Sequence, residues 1–389
     1  MKAETQDVSA KTHKLSFVKW DVRAYALIIA LAAIWAIFTI LTDGAFLSDR
    51  NLSNLFRQMS VISVLAIGMV LVIVAAHIDL SVGSVAGLTG GVAAALHVWL
   101  GFNTAISIGA ALLLGILIGL WQGWWVAYRM VPAFIVTLDG MLAFRGMLLA
   151  ISQGQTIAPL SDSFKSIAQS YIPVSVGWGL GGLVVVCTAY VFFRRRKSRM
   201  SYGFDTPPVA ADLVKVAVIS LLTLFFVFLM NAYKGIPTPI ILVLLLGIVF
   251  TFIAQNTSFG RQIYAIGGNM DAARLSGINI KRKVLMVFVL NGFMAAVAGV
   301  LLTARVNAAS PAAGEMYELD AIAAAVIGGT SLMGGTGTIV GAVIGALVMA
   351  SIDNGMSMLN ADVYWQYIVK GLILIVAVWI DVVSKRKKA

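Results

Sequence analysis

Seven ionisable side chains, Asp79, Asp139, Arg145, Arg305, Asp320, Asp353 and Lys370, fall inside or beside long apolar runs of this chain. A charge in hydrocarbon is costly, so each is a candidate for a polar route through a membrane, an interhelical ion pair or an interfacial position. Asp79 has the richest surroundings, because Ser81 and Ser84 follow it in the run His77-Ile-Asp-Leu-Ser-Val-Gly-Ser84. A carboxylate with two hydroxyls can hold a neutral polar solute by hydrogen bonds, and Asn291, Asn307 and Gln122 add amides of the kind such a solute needs. Asp79, Ser81, Ser84, Asn291 and Asn307 are therefore the candidates for a translocation pathway. Trp121 and Trp124 could offer aromatic faces, but tryptophan is enriched at membrane interfaces for other reasons. The better reading of Gly115 and Gly119 is close helix packing.

The chain lacks the parts of a catalyst. It contains no Gly-x-x-x-x-Gly-Lys-Ser/Thr phosphate loop, so it is not expected to hydrolyse ATP itself. His13, His77 and His97 lie far apart, without metal-ligand spacing. No set of nucleophile, base and orienting group appears. Cys187, the single cysteine, excludes a disulfide framework, and its apolar neighbours describe an inert thiol. No cofactor or metal is expected in this chain.

The elements that carry these residues follow from composition. Hydrophobic residues make up 60% of the chain and charged residues only 12%, where a soluble domain carries about 25%. A surface so poor in charge must face lipid. Runs of the roughly 20 residues that span a bilayer occur at 24–42, 58–76, 81–99, 104–127, 133–151, 175–193, 213–231, 238–255, 284–306, 319–332, 337–358 and 363–383. The expected fold is all-α and polytopic, with about twelve transmembrane helices, the run 319–332 being short for a crossing. With the N-terminus inside, inner segments hold 21 of the 28 Lys and Arg, outer segments hold Arg50, Arg57, Lys165 and Lys234, and three lie within spans. That bias orients the chain, with both termini cytoplasmic. It also explains the net charge of +11 without a nucleic-acid partner. Residues 1–23 read as a cytoplasmic tail with no removable signal peptide, 24–383 as the membrane domain, and 384–389 as a basic cytoplasmic tail.

Two stretches interrupt this pattern. One is 77–84. The other is Gly328-Gly-Thr-Ser-Leu-Met-Gly-Gly-Thr-Gly337. Non-helical backbone at membrane depth survives only against protein or a water-filled cavity, so both are either re-entrant segments or simple turns at the inner surface. The longest charged connection, 256–283, is cytoplasmic by charge. Within it Asp271-Ala-Ala-Arg-Leu-Ser-Gly277 reads as a short helix, with Asn269 as N-cap, Asp271 favourable to the dipole and Gly277 closing the C-terminus in the left-handed conformation. Ala272 and Ala273 keep its surface narrow enough for a partner's groove.

These motifs carry a resemblance. Ile78-Asp-Leu-Ser-Val-Gly-Ser84, Phe259-Gly-Arg, Tyr264-Ala-Ile-Gly-Gly-Asn269, Ala272-Ala-Arg-Leu-Ser-Gly-Ile-Asn279, Asp320-Ala-Ile-Ala-Ala and Gly328-Gly-Thr-Ser331 resemble the permease subunits of bacterial monosaccharide ABC importers, the ribose, arabinose and xylose group. The resemblance runs from about residue 45 to the C-terminus. It is closest to the D-xylose branch, which has an extra mid-chain helix pair, here 175–231 around the Arg194–Arg199 cluster. It implies D-xylose import across the inner membrane by a dimer of permeases, a homodimer or a pair with a close paralogue, with a separate ABC ATPase that binds ATP-Mg and a periplasmic sugar-binding protein. It also implies that Asp271, Ala272, Ala273, Arg274, Leu275 and Gly277 form the loop that engages the ATPase. Two positions depart from the group: His77 precedes Ile-Asp-Leu-Ser, and Asp139 stands where a small residue is usual. An ion-coupled secondary sugar carrier and a membrane-embedded glycosyltransferase are the alternatives. The first would need free buried carboxylates and the second clustered acids at one interface.

Overall fold

The computed structural model describes residues 22–204, 206 and 208–386, so most of the N-terminal tail and the last residues of the basic tail lie outside the described residues. In hydrocarbon only a helix satisfies every backbone N–H and C=O within its own segment, and the apolar runs fold accordingly. In chain order the first helices are α1 (Val22–Leu41), α2 (Asp49–Val74), α3 (Val82–Val98), α4 (Thr104–Ala127), α5 (Ala133–Ser152), α6 (Asp162–Gln169), α7 (Val174–Ser201) and α8 (Val209–Asn231). They are followed by α9 (Thr238–Asn256), α10 (Ser258–Gly268), α11 (Met270–Leu275), α12 (Ile280–Val306), α13 (Tyr317–Ile327), α14 (Ile339–Met358) and α15 (Val363–Arg386). Among the described residues, nine are long and apolar enough to cross a membrane: α2, α4, α5, α7, α8, α9, α12, α14 and α15. Leu27–Leu41 of α1 and Val82–Val98 are shorter apolar helices. The chain is an all-α, multi-pass membrane protein.

The run expected to cross at 319–332 is the exception. Its helix, α13, has 11 residues and spans about 16 Å, half of a bilayer core. It stops at Gly328, after which Gly329 takes φ +91° and the chain stays non-helical to Thr338. Hydropathy reports how apolar this stretch is, but not where the glycines end the helix. α13 and the start of α14 instead pack back to back. A Cβ on Gly345 would overlap the carbonyl of Ala324, and one on Gly328 would overlap the backbone of Gly341.

The helices arrange by how apolar they are all round. Over its most apolar stretch α2 is 89% buried and forms the central post, flanked by α12 and α14. α7, α8 and α15 are only 11% buried there, so their apolar faces are left for lipid. α7 and α8 form a hairpin whose far ends are joined by Arg196 and Asp212 at 2.8 Å. At its base β1 (Tyr171–Ile172) and β2 (Ile236–Pro237) pair antiparallel.

α4 and α12 make the most extensive helix–helix contact among the described residues. A Cβ on Gly115 would overlap the Gly292 carbonyl, one on Gly119 the Phe288 carbonyl, and one on Gly292 the Gly115 carbonyl. Small residues let helix backbones approach this closely in a membrane. Gly292→Val should therefore destabilise the folded chain by about 1–3 kcal/mol. Gly182→Val on α7, where a Cβ meets nothing within 4 Å, should cost within about 0.5 kcal/mol. Melting of the two variants in detergent checks the contrast, and equal melting points would mean that the α4–α12 glycines are not packing residues.

Candidate functional site

The 256–283 connection folds as two short helices separated by one residue. Thr257 caps α10 by accepting from Gly260 N at 3.2 Å. Asn269, extended at φ −159°, ends α10 and caps α11, its Oδ1 accepting from Ala272 N at 2.9 Å. Gly277 follows at φ +81°, the left-handed conformation expected for the cap. Six residues are too few for a stable free helix, so α11 depends on these caps and on what lies beneath it.

Its outer surface is the unusual part. Ala273 is buried against the bundle, while Ala272 and Gly277 are exposed and Asp271 and Arg274 point outward, 3.5 Å from each other. Leu275 is 89% exposed. Behind α11 lies a groove of about 670 Å³, lined by His77 and Ile78, by Pro132 and Phe134, and by Met270 and Arg274.

The support under α10 is backbone against backbone. A Cβ on Gly267 would overlap the Val74 carbonyl at the end of α2 and crowd Gly335 N. Gly335 N itself donates to Val74 O at 2.9 Å. Tyr264 donates its hydroxyl to Gly337 O at 2.7 Å, and partial burial pushes that hydroxyl above the ordinary tyrosine range, which keeps it a donor. The end of α2 and the glycine-rich segment 328–337 thus meet directly beneath the two short helices.

The other interrupted segment turns back into the bundle. From Val74 the chain runs without helix to Ser81, and Asp79 reaches Asn291, 11 residues and about 16 Å along α12. Asp79 Oδ1 accepts from Ser81 N at 2.8 Å and from Ser81 Oγ at 2.6 Å. Its Oδ2 accepts from Asn291 Nδ2 at 2.7 Å. Gln122 Nε2 donates to Ser81 Oγ at 2.7 Å, Ser84 Oγ donates to Ser81 O at 2.8 Å, and Thr137 Oγ1 accepts from Leu80 N at 3.1 Å. Asp79, Ser81, Ser84, Gln122 and Asn291 are all buried. Four of the five pathway candidates therefore form one buried network that fastens the α2–α3 junction to α4, α5 and α12, with Asn291 Oδ1 left unpartnered. Asn307 is elsewhere. It caps α12 at φ +60°, 16 residues beyond Asn291, and accepts from Leu160 N at 3.0 Å.

A second buried cluster joins residues that sequence could only flag one by one. Lys370 Nζ of α15 lies 2.9 Å from Asp320 Oδ2 of α13 and 3.0 Å from Asp353 Oδ1 of α14. Arg145 lies 3.4 Å from Glu315. Gln122 and Thr137 became visible as network members only in three dimensions, since nothing in their local sequence points to Ser81 or Leu80.

The sequence matches the family model described as branched-chain amino acid transport system / permease component over residues 51–378. It is 52% identical to the xylose transport system permease protein XylH of Escherichia coli, covering 94% of this chain and 93% of that one. Identity to XylH of Haemophilus influenzae is 50%, over 94% of this chain and 98% of the relative. The ribose import permease protein RbsC of Escherichia coli is 37% identical over 97% of this chain and 98% of its own. No solved structure matches the chain.

The Asp79 network makes a stability prediction. Asp79→Ala strands donors of Ser81 and Asn291 and should cost about 2–4 kcal/mol, since each buried unpaired polar group costs about 1–3 kcal/mol. Asn291→Ala added to it should cost clearly less than it does alone, because its partner is already gone. Additive losses in a double-mutant cycle would show that the two side chains are not coupled.

Proposed function

Because the chain belongs to the family of transport-system permease components, we propose that it is the membrane-spanning permease of an ATP-driven importer of D-xylose. The observation that carries the substrate is the 52% identity to a xylose permease across nearly the whole of both chains. Sequence identity to ribose permeases is lower, at 37%.

In this reading the basic side, with the 256–283 connection and both termini, is cytoplasmic. A separate ABC ATPase binds ATP-Mg and seats α11 in a surface groove. Ala272 and Gly277 keep the contact narrow, whereas Ala273, expected at this surface, packs beneath it against the bundle. Leu275 enters an apolar hollow, and Asp271 and Arg274 offer charge-assisted contacts at its rim. A periplasmic binding protein delivers the sugar to the opposite face. Two identical permeases enclose the route, each contributing one α11. Asp79, Ser81, Ser84 and Asn291 hold the junction that opens or closes its inner end, and Asn307 lies toward its outer end.

An ion-coupled carrier is disfavoured by the identity to xylose transport system permeases across nearly the whole chain. Among the buried carboxylates, Asp79 is occupied by Ser81 and Asn291, and Asp320 and Asp353 by Lys370, while Glu318 is buried with Oε2 unpartnered.

Uptake by reconstituted complex, with ATP supplied and ion gradients collapsed, tests the reading. Wild type should import D-xylose only with the ATPase and binding protein present. Gly277→Val places a β-branched residue at φ +81°, strained regardless of space. It should lower uptake at least tenfold and weaken ATPase co-purification while leaving the helices inserted. Leu275→Ala should weaken association by about tenfold, the loss expected for an anchor worth more than 1 kcal/mol. Normal transport and co-purification by Gly277→Val would reduce this loop to a linker, and uptake without ATPase would end the importer reading.

A further inference from the structure

Asp139 occupies a position that is costly against lipid. It is the seventh residue of α5, about 9 Å from the helix start at Ala133. Its side chain is exposed on the outside of the chain and makes no hydrogen bond or ion pair among the described residues. Lysine and arginine can extend toward the interface from such a depth, but an aspartate is too short to do so.

The face around it differs from the other exposed faces. Asp139, Ala143, Gly146 and Ala150, at i, i+4, i+7 and i+11, form one exposed stripe along α5, and a Cβ on Gly146 would meet nothing within 4 Å. Beside the stripe, toward the other end of the helix, lies the half-exposed pair Arg145–Glu315. Val136, Thr137, Gly140, Phe144 and Leu148 on the opposite side are buried against the bundle. By contrast, the apolar stretches of α7 and α8, from Val174 to Phe193 and from Val216 to Asn231, carry no Asp, Glu, Lys, Arg or His. Their exposed side chains include Leu183, Val184, Leu221 and Phe225. The α5 face also exposes Leu138 and Leu142 beside the stripe, and what sets it apart from those faces is the unpartnered acid among small residues.

We propose that the exposed face of α5 is the aqueous wall of the translocation route, facing the same surface of a second copy of this chain, and that Asp139 accepts hydrogen bonds from the hydroxyls of the passing sugar. The small stripe leaves width for the solute where two such helices face each other. An ionised carboxylate accepts hydroxyl hydrogen bonds more strongly than a neutral group. Two copies would set two such acceptors toward the inner end of one channel, which makes Asp139 a specificity-determining residue. The assignment of the solute rests on the importer reading above, whereas the assignment of water to this face does not.

The single native cysteine makes the test direct. In a Cys187→Ser background, cysteines are placed one at a time at Asp139, Gly146 and, as the lipid-facing control, Val184. A charged, membrane-impermeant methanethiosulfonate should label positions 139 and 146 at least tenfold faster than 184, with D-xylose under turnover slowing the reaction at 139. Separately, Asp139→Asn and Asp139→Gly should raise the KM for uptake about fivefold with ATPase co-purification unchanged. Labelling at 139 and 146 no faster than at 184 would overturn the water-lined face. Rapid labelling with an unaltered KM in both variants would overturn the sugar contact. Import of D-xylose by the wild-type complex with an unreactive cysteine in the Asp139→Cys variant defeats this inference alone, and failure of the wild type to import defeats the importer reading instead.

Discussion

Backbone amides without helical partners cannot be left in hydrocarbon, and two non-helical stretches of this chain, 75–81 and 328–338, interrupt its apolar runs. Most of the interior follows from satisfying those two breaks. At the first, Asp79 takes the Ser81 amide within the break itself, and Thr137 takes the Leu80 amide from α5, which must then sit close by. At the second, Gly335 N is satisfied by the last carbonyl of α2 and the Gly337 carbonyl by Tyr264. The breaks are tolerable because α2 stands between them, almost wholly buried, and its own end supplies an acceptor. Glycines at 267, 334 and 335 are the condition for that contact, since any side chain would separate the two backbones.

Charge in the membrane domain obeys the same rule, with ions in place of amides. Lys370 is set between Asp320 and Asp353, so three helices, α13, α14 and α15, are held by one ammonium. A pair like this is weak evidence for net stability, because desolvation offsets much of the attraction. Its effect is to fix which residues face one another. α13 is too short to be held by spanning the bilayer, and a buried carboxylate with a single cationic partner gives it a defined position against α15.

Local signals were legible in the sequence and distant ones were not. The caps at Asn269 and Gly277 could be read because a cap acts within three residues of itself. The long apolar runs could be read because lipid imposes a minimum length, and 175–193 missed only the extension of α7 to Ser201, where Arg194–Arg199 continue the helix beyond its apolar part. The shortness of α13 was hidden, since alanine and isoleucine score as apolar whether or not a helix continues through them. Asp79 stood out as an acid beside hydroxyls, but Asn291 lies 212 residues away and only the fold says which amide it meets. For the same reason Asp320, Asp353 and Lys370 could each be flagged without being joined.

The position of α11 explains how so small an element could move so large a bundle in the proposed importer. One residue, Asn269, serves both short helices, so α11 cannot tilt without acting on α10. α10 touches the end of α2 and the glycine-rich segment through backbone atoms, which have no rotamers in which to absorb a displacement. Force applied at Leu275 therefore reaches both non-helical breaks within two contacts. Those breaks are where the bundle can yield, because their geometry depends on a few hydrogen bonds and not on a continuous helical ladder. The Asp79 network then sets the resistance at one break and the Tyr264–Gly337 bond contributes at the other. A rigid input coupled to two soft joints on either side of a stiff central post is an arrangement in which ATP-driven motion outside the membrane can change the route inside it without unfolding any spanning helix.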